Sequence, residues 1–203
     1  YAPGDVADAE LLIGDRWILS RLATVTDQVT EALAGFRYAD AARALYGFAW
    51  DEFCSFYVEM VKGRLQDPAT RPVAQRVLAH TLDVLVRLLH PMIPFLTEEV
   101  WQRLGEVAPR RGIPTAQPAA ESIMIAPWPE ADAARRDERI EAQFGLFQEV
   151  LRAVREIRSR QNVPPKTRIE FSVRCDADTA DLFTEVSRGI DKWLWMVEAH
   201  VQG

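Results

Sequence analysis

Six basic side chains crowd one short stretch of the sequence. They are Arg152, Arg155, Arg158, Arg160, Lys166 and Arg168, opposed there only by Glu156, so the stretch carries +5 in a chain of net charge -6. Guanidinium groups at this density suit charge-assisted, often bidentate hydrogen bonds to phosphate oxygens. Arg152, Arg155 and Arg158 stand at i, i+3 and i+6, within roughly a third of a helix circumference. A solvated basic face has the same pattern, and spacing alone does not separate the two. A second set gathers at two turns: Phe36, Arg37 and Tyr38 at one, and Lys62, Arg64 and Arg71 around the next. Aromatic rings stack on unpaired bases, as single-stranded RNA sites commonly require; the competing role for Phe36 and Tyr38 is core packing. Consecutive turns of an up-and-down bundle lie at opposite ends, so these two groups need not form one patch.

Other chemistries find little support. His80, His90 and His200 are spread out, and the spacing of His80 and His90 does not stack them as i,i+4 ligands, so no metal site is expected. The sequence has no Gly-x-Ser-x-Gly elbow, no Walker loop and no G-x-G-x-x-G. Glu98 and Glu99 follow Thr97 near a helix start, where carboxylates complement the helix dipole. Cys54 and Cys175 are the only cysteines. Cys54 lies in an aromatic run and reads as a small core residue, and two distant cysteines fit a reducing cytoplasm. Tyr1 to Glu10 is small and acidic, unlike a signal peptide, and no apolar run approaches a membrane span, so no membrane partner is expected.

The elements that would position these residues follow from periodicity. Asp15 to Gly35 predicts a helix with Ile18, Leu22, Val25, Val29 and Leu33 on one face, Asp15 as N-cap and Gly35 as the left-handed residue after its end. Tyr38 to Leu65 predicts a second, long helix, apolar on most sides and therefore central, with Trp50, Phe53 and Phe56 as buried anchors. Pro72 to Leu89 predicts a third, with a stripe of Leu78, Leu82, Leu85 and Leu89. A short helix from Phe95 to Leu104 is ended by Gly105. Glu106 to Glu121 reads as loop, and Ser122 to Ala126 as a short extended segment. Ala134 to Gln161 predicts a long helix with Ile140, Phe144, Phe147, Val150, Val154 and Ile157 on one side. Arg168 to Cys175 alternates as a half-buried strand. Ala177 to Val197 is helical, and Glu198 to Gln202 could start another strand. The expectation is a mainly α protein: an antiparallel helical bundle over residues 1–130, then a long helix with a small α/β appendage over 131–203. The start at Tyr rather than Met and the unfinished sheet lead us to expect a piece of a longer protein.

Several segments together resemble one family. Asp15-Arg16-Trp17-Ile18-Leu19-Ser20-Arg21-Leu22 resembles the start of the anticodon-binding domain of class Ia aminoacyl-tRNA synthetases. The run from Ala44 to Cys54, continued by Tyr57-Val58-Glu59 and Lys62, resembles its second helix. Leu88 to Trp101, with His90-Pro91-Met92-Ile93-Pro94-Phe95, resembles its most recognisable segment. Ser122 to Pro129 resembles the version typical of valyl enzymes, and Val154 to Arg158 with Asn162 to Lys166 extends the similarity into the appendage. Isoleucyl and leucyl enzymes share the bundle, and a helical protein–protein interaction domain would show the same periodicity.

The resemblance implies a fold and a role. The fold is the class Ia helical bundle, and the role is docking of tRNA, in the valyl branch a valine-accepting one, for protein biosynthesis. The parent enzyme would ligate valine to tRNA with ATP and Mg in a catalytic domain elsewhere in the same polypeptide, with a further C-terminal domain beyond. This sequence has neither the HIGH-type nor the KMSKS-type ATP motif, and lysine occurs only at Lys62, Lys166 and Lys192. The chain alone is expected to need no cofactor and to be catalytically inert, with Phe36, Arg37, Tyr38, Lys62, Arg64, Arg71, Arg152, Arg155, Arg158, Arg160 and Lys166 as its candidate tRNA contacts.

Overall fold

A computed structural model of the chain describes residues 1–164 together with Thr167, Ala177, Thr179, Ala180 and Thr184. It divides into two compact units, Tyr1–Arg136 and Asp137–Gly203. The break falls at Arg136, a little after the expected 130. The predicted strands at 168–175 and 198–202, and all but isolated residues of the helix between them, lie outside the described residues.

The first unit is an up-and-down bundle. Helix α1 spans Ile13–Ala34, and Trp17, Ile18, Leu22, Val25 and Val29 bury the expected face. The second helical run is continuous from Tyr38 to Gln66 but is built in three parts. Helix α2, Tyr38–Tyr46, passes into a π-helical stretch, Gly47–Tyr57, and then into α3, Val58–Gln66. Helix α4, Arg71–Leu89, accepts Pro72 in its first turn, where an amide hydrogen has no intrahelical partner. Helix α5 is Pro94–Val107, running past Gly105 rather than stopping there. Helix α1 packs on α2, on the π-helical stretch and on α4; α3 packs on α4, and α4 on α5. Trp17 meets Phe56 edge-to-face at 5.5 Å in the centre.

Several sequence expectations are corrected. Trp50 and Cys54 face outward, while Phe48, Phe53, Phe56 and Tyr57 turn in. An all-round apolar sequence does not say which side is covered, and the π-helical turn changes the helical period on which a face assignment rests. In α4 the buried line runs through Val77, Thr81, Val84, Leu85 and Leu88, so of the expected leucine stripe only Leu85 is fully buried. Gly35 keeps a negative φ, and Phe36 takes the left-handed conformation at φ 58°. Ser122 to Ala126 is a 3-10 turn over Ile123–Ile125, not an extended strand. The preceding loop holds a short antiparallel pair, β1 (Arg110–Arg111) with β2 (Gln117–Pro118).

In the second unit, Asp137 caps helix α6, Glu138–Arg160, by accepting from the amide of Ile140 at 3.0 Å. Phe144, Phe147 and Leu151 are its buried residues on the predicted side, whereas Ile157 is exposed.

Candidate nucleic-acid interface

Helix α1 ends in a turn whose hydrogen bonds force one residue into the left-handed region. The amide of Arg37 donates to the carbonyl of Ala32 at 2.7 Å, and that of Phe36 to Leu33 at 3.0 Å. This is a Schellman closure, in which the left-handed position is usually glycine. Here Phe36 occupies it, and its side chain is 77% exposed. Tyr38 stands beside it, the rings meeting edge-to-face at 6.4 Å, and is exposed as well. Phe36, Arg37 and Tyr38 therefore form an exposed aromatic and cationic corner at one end of the bundle.

The other turn group sits at the far end of the Tyr38–Gln66 run, and its two arginines are bound into the fold. Arg64 donates through Nη1 to Asp15 Oδ1 at 2.7 Å, with most of its side chain buried. Asp15 itself is fully buried; it lies in the third position of α1, where Oδ2 accepts from the amide of Leu12 at 3.0 Å, and Oδ1 also accepts from the Tyr57 hydroxyl. So Asp15 is the hub of a buried network rather than the N-cap expected of it. Burial and the adjacent carboxylate push the Tyr57 hydroxyl well above its ordinary pKa near 10. Arg71 donates to the carbonyls of Leu65 at 2.7 Å and Gln66 at 3.2 Å, capping the C-terminus of α3. Lys62 pairs on the surface with Glu59 at 2.6 Å.

The basic stretch of α6 also divides. Arg152 and Arg155 are exposed. Arg158 is buried, and its guanidinium donates to the carbonyls of Thr167 and Pro164, closing the loop after the helix. Arg160 is exposed but pairs with Glu156. Lys166 lies outside the described residues. The i, i+3, i+6 spacing showed which arginines share a sector. It did not show that the last of them turns inward to satisfy carbonyls beyond the helix end.

A strap of chain is fastened along α4 and α5. Glu98 accepts from the Ser122 hydroxyl at 2.8 Å, from the amide of Ile123 at 3.2 Å and from Gln102 at 2.6 Å. These donors, the Gln102 bond first, hold its carboxyl below the usual range. The Trp101 indole donates to the carbonyl of Ala120, Arg87 to that of Pro127, and the Trp128 indole to Thr30 Oγ1. His90, at the end of α4, meets Thr97 of α5 through Nδ1 and Met124 of the strap through Nε2. Its recognisable sequence thus ties two helices to the segment that follows them. Among the described residues no group of three or more His, Cys, Asp or Glu is placed to hold a metal ion.

The first unit is thus an antiparallel bundle with an exposed aromatic and arginine corner, and helix α6 of the second unit exposes Arg152 and Arg155 near its C-terminal end. A family model described as the anticodon-binding domain of tRNA ligase matches residues 15–173, and the chain belongs to that family. It is 48% identical over 90% of its length to a valine–tRNA ligase of Rhodopirellula baltica, covering 18% of that protein. To a valine–tRNA ligase of Fervidobacterium nodosum it is 40% identical over 84% of its length, and to one of Carboxydothermus hydrogenoformans 38% identical over all of it, covering 18% and 21% of those proteins. The chain spans about a fifth of the length of the curated relatives it matches.

Proposed function

We propose that this chain docks the anticodon arm of a valine-accepting tRNA within a longer valine–tRNA ligase. The observation that carries the reading is the 48% identity to such a ligase over nine-tenths of the chain. The exposed corner of Phe36, Arg37 and Tyr38 supports it, since unpaired bases stack on such rings. So do Arg152 and Arg155, which stand where phosphates can reach them. In this reading the longer protein joins valine to tRNA with ATP and Mg, and the chain contributes position rather than chemistry. It needs no cofactor of its own and is inert alone, in keeping with a sequence that has neither ATP motif. No helix among the described residues is long and apolar enough to cross a membrane, and we place the working enzyme in the cytoplasm.

The test is a titration of the chain against valine- and isoleucine-accepting tRNA at fixed salt. One good base contact is worth about 1–3 kcal/mol in duplex DNA readout, so a preference of about tenfold for the valine acceptor is expected. Equal binding withdraws base recognition from this chain. Absence of salt-sensitive binding to either tRNA overturns the reading in favour of a protein–protein adaptor.

A further inference from the structure

The outward face of the helical run Tyr38–Gln66 carries apolar side chains that nothing in the described structure covers. Ala39, Ala42, Tyr46, Trp50 and Cys54 recur at spacings of three and four, and all five are exposed. Tyr46 is 66% and Trp50 58% exposed. Single exposed apolar residues are ordinary, but a contiguous apolar patch marks an interaction site. The π-helical stretch Gly47–Tyr57 carries Trp50 and Cys54 of this face, and such turns are rare and concentrate at functional sites.

Charge separates the possible occupants. The line through these five residues has no cation. Of its neighbours, Arg43 pairs with Asp40 at 3.1 Å, and Arg21 holds Glu52 through two bonds at 2.7 and 2.9 Å. Asp51, next to Trp50, is exposed. Around Trp50 a phosphate backbone would meet the exposed Asp51 carboxylate, while Arg21 and Arg43 are held in ion pairs. Tyrosine and tryptophan at the centre with charges at the rim is instead the composition of a protein interface.

We propose that this face docks another folded domain of the same polypeptide. The inference rests on reading the chain as one part of a longer ligase. With 18–21% of each relative covered, about four-fifths of a protein of that length lies outside this chain. A tethered domain meets the face at an effective concentration that a free partner lacks. The apolar line supplies the contact that fixes its position.

Cys54, at the end of the face, reports the cover. With Cys175→Ser in place, thiol alkylation is timed in the chain alone and in the full-length polypeptide. Cys54 reacts at least about tenfold more slowly in the full-length protein, because the thiolate must reach solvent to react. Trp50→Ala restores the fast rate there, yet moves the melting temperature of the isolated chain by no more than about 2 °C. Equal rates in chain and full-length protein overturn the proposal, and so does a rate that stays slow in the Trp50→Ala protein. Protection that appears only on adding tRNA overturns it in favour of RNA, and protection of the isolated chain that vanishes on dilution overturns it in favour of a second copy. Binding of tRNA is measured on the same samples, so failure of this inference is told apart from failure of the tRNA reading.

Discussion

The Tyr57 hydroxyl donates to Asp15 Oδ1 at 2.6 Å, joining the start of α1 to the end of the π-helical stretch where neither side chain meets solvent. Arg64 reaches the same oxygen from α3. Removing one partner of a buried charged pair leaves the other uncompensated, which costs about 3–5 kcal/mol. Asp15→Ala is therefore expected to destabilise the chain by that amount in urea melts. Tyr57→Phe, which removes one hydrogen bond to a charged group, costs about 1.5–3 kcal/mol. A loss under about 1 kcal/mol for Asp15→Ala would show that the network contributes little to stability.

Half-buried His80 predicts an acid-sensitive fold. Desolvation lowers its pKa to about 4, with Arg87 and Arg135 acting in the same direction and Asp83 and Asp132 against it. The unfolded chain takes up this proton near pH 6.5, and the folded chain only near 4. The neutral ring therefore contributes stability that is fully present above pH 6.5 and is lost as pH falls toward 4, on the order of 2–3 kcal/mol. His80→Gln should flatten stability between those pH values. If the variant and the parent lose stability in parallel, other groups carry the acid response.

How much of this was legible in the sequence depended on where the partners lie. The face of α1 could be read directly, because Ile18, Leu22, Val25 and Val29 alternate with polar residues at helical spacing. The Tyr38–Gln66 run offers no such contrast. Its apolar residues look equally suited to burial, and only tertiary packing separates Phe53, which is buried, from Trp50, which is not. Asp15 at a helix start has a local role that sequence suggests readily. Besides the local Leu12 amide it is held by Tyr57 and Arg64, which are forty or more positions away, so no local rule finds them. The Phe36, Arg37 and Tyr38 corner was legible as a turn with aromatics, but the residue bearing the left-handed strain was not, because glycine is the usual occupant of that position.

The basic residues of α6 are expected to separate by role. Arg152→Ala with Arg155→Ala removes two exposed cations and should leave the melting curve within about 0.5 kcal/mol of the parent. If both contact phosphates of unpaired RNA, the log–log salt slope of tRNA binding falls by about 1.4. Arg158→Ala should instead open the loop it closes through the carbonyls of Pro164 and Thr167, and proteolysis near residue 164 is the readout. An unchanged salt slope in the double variant makes that surface an ordinary solvated face.

Phe36 offers a separation of binding from stability. The left-handed conformation costs a non-glycine residue roughly 1–2 kcal/mol, because Cβ crowds the following carbonyl oxygen. Phe36→Gly removes that penalty but adds freedom to the unfolded chain, worth about 0.5–1 kcal/mol. The net effect is a gain of up to about 1 kcal/mol, since the exposed ring gives up little packing beyond its contact with Tyr38. A residue present only to close the turn would be improved by this change at no loss to function. If the ring stacks on an unpaired base, the same variant loses about 1–3 kcal/mol of binding, a weakening of at least about fivefold. Phe36→Tyr keeps a stacking face and should bind as the parent does, while retaining the strain. Denaturant melts and tRNA titrations on the three proteins therefore move in opposite directions for Phe36→Gly and barely at all for Phe36→Tyr. A Phe36→Gly protein that is more stable and binds tRNA undiminished removes Phe36 from the interface.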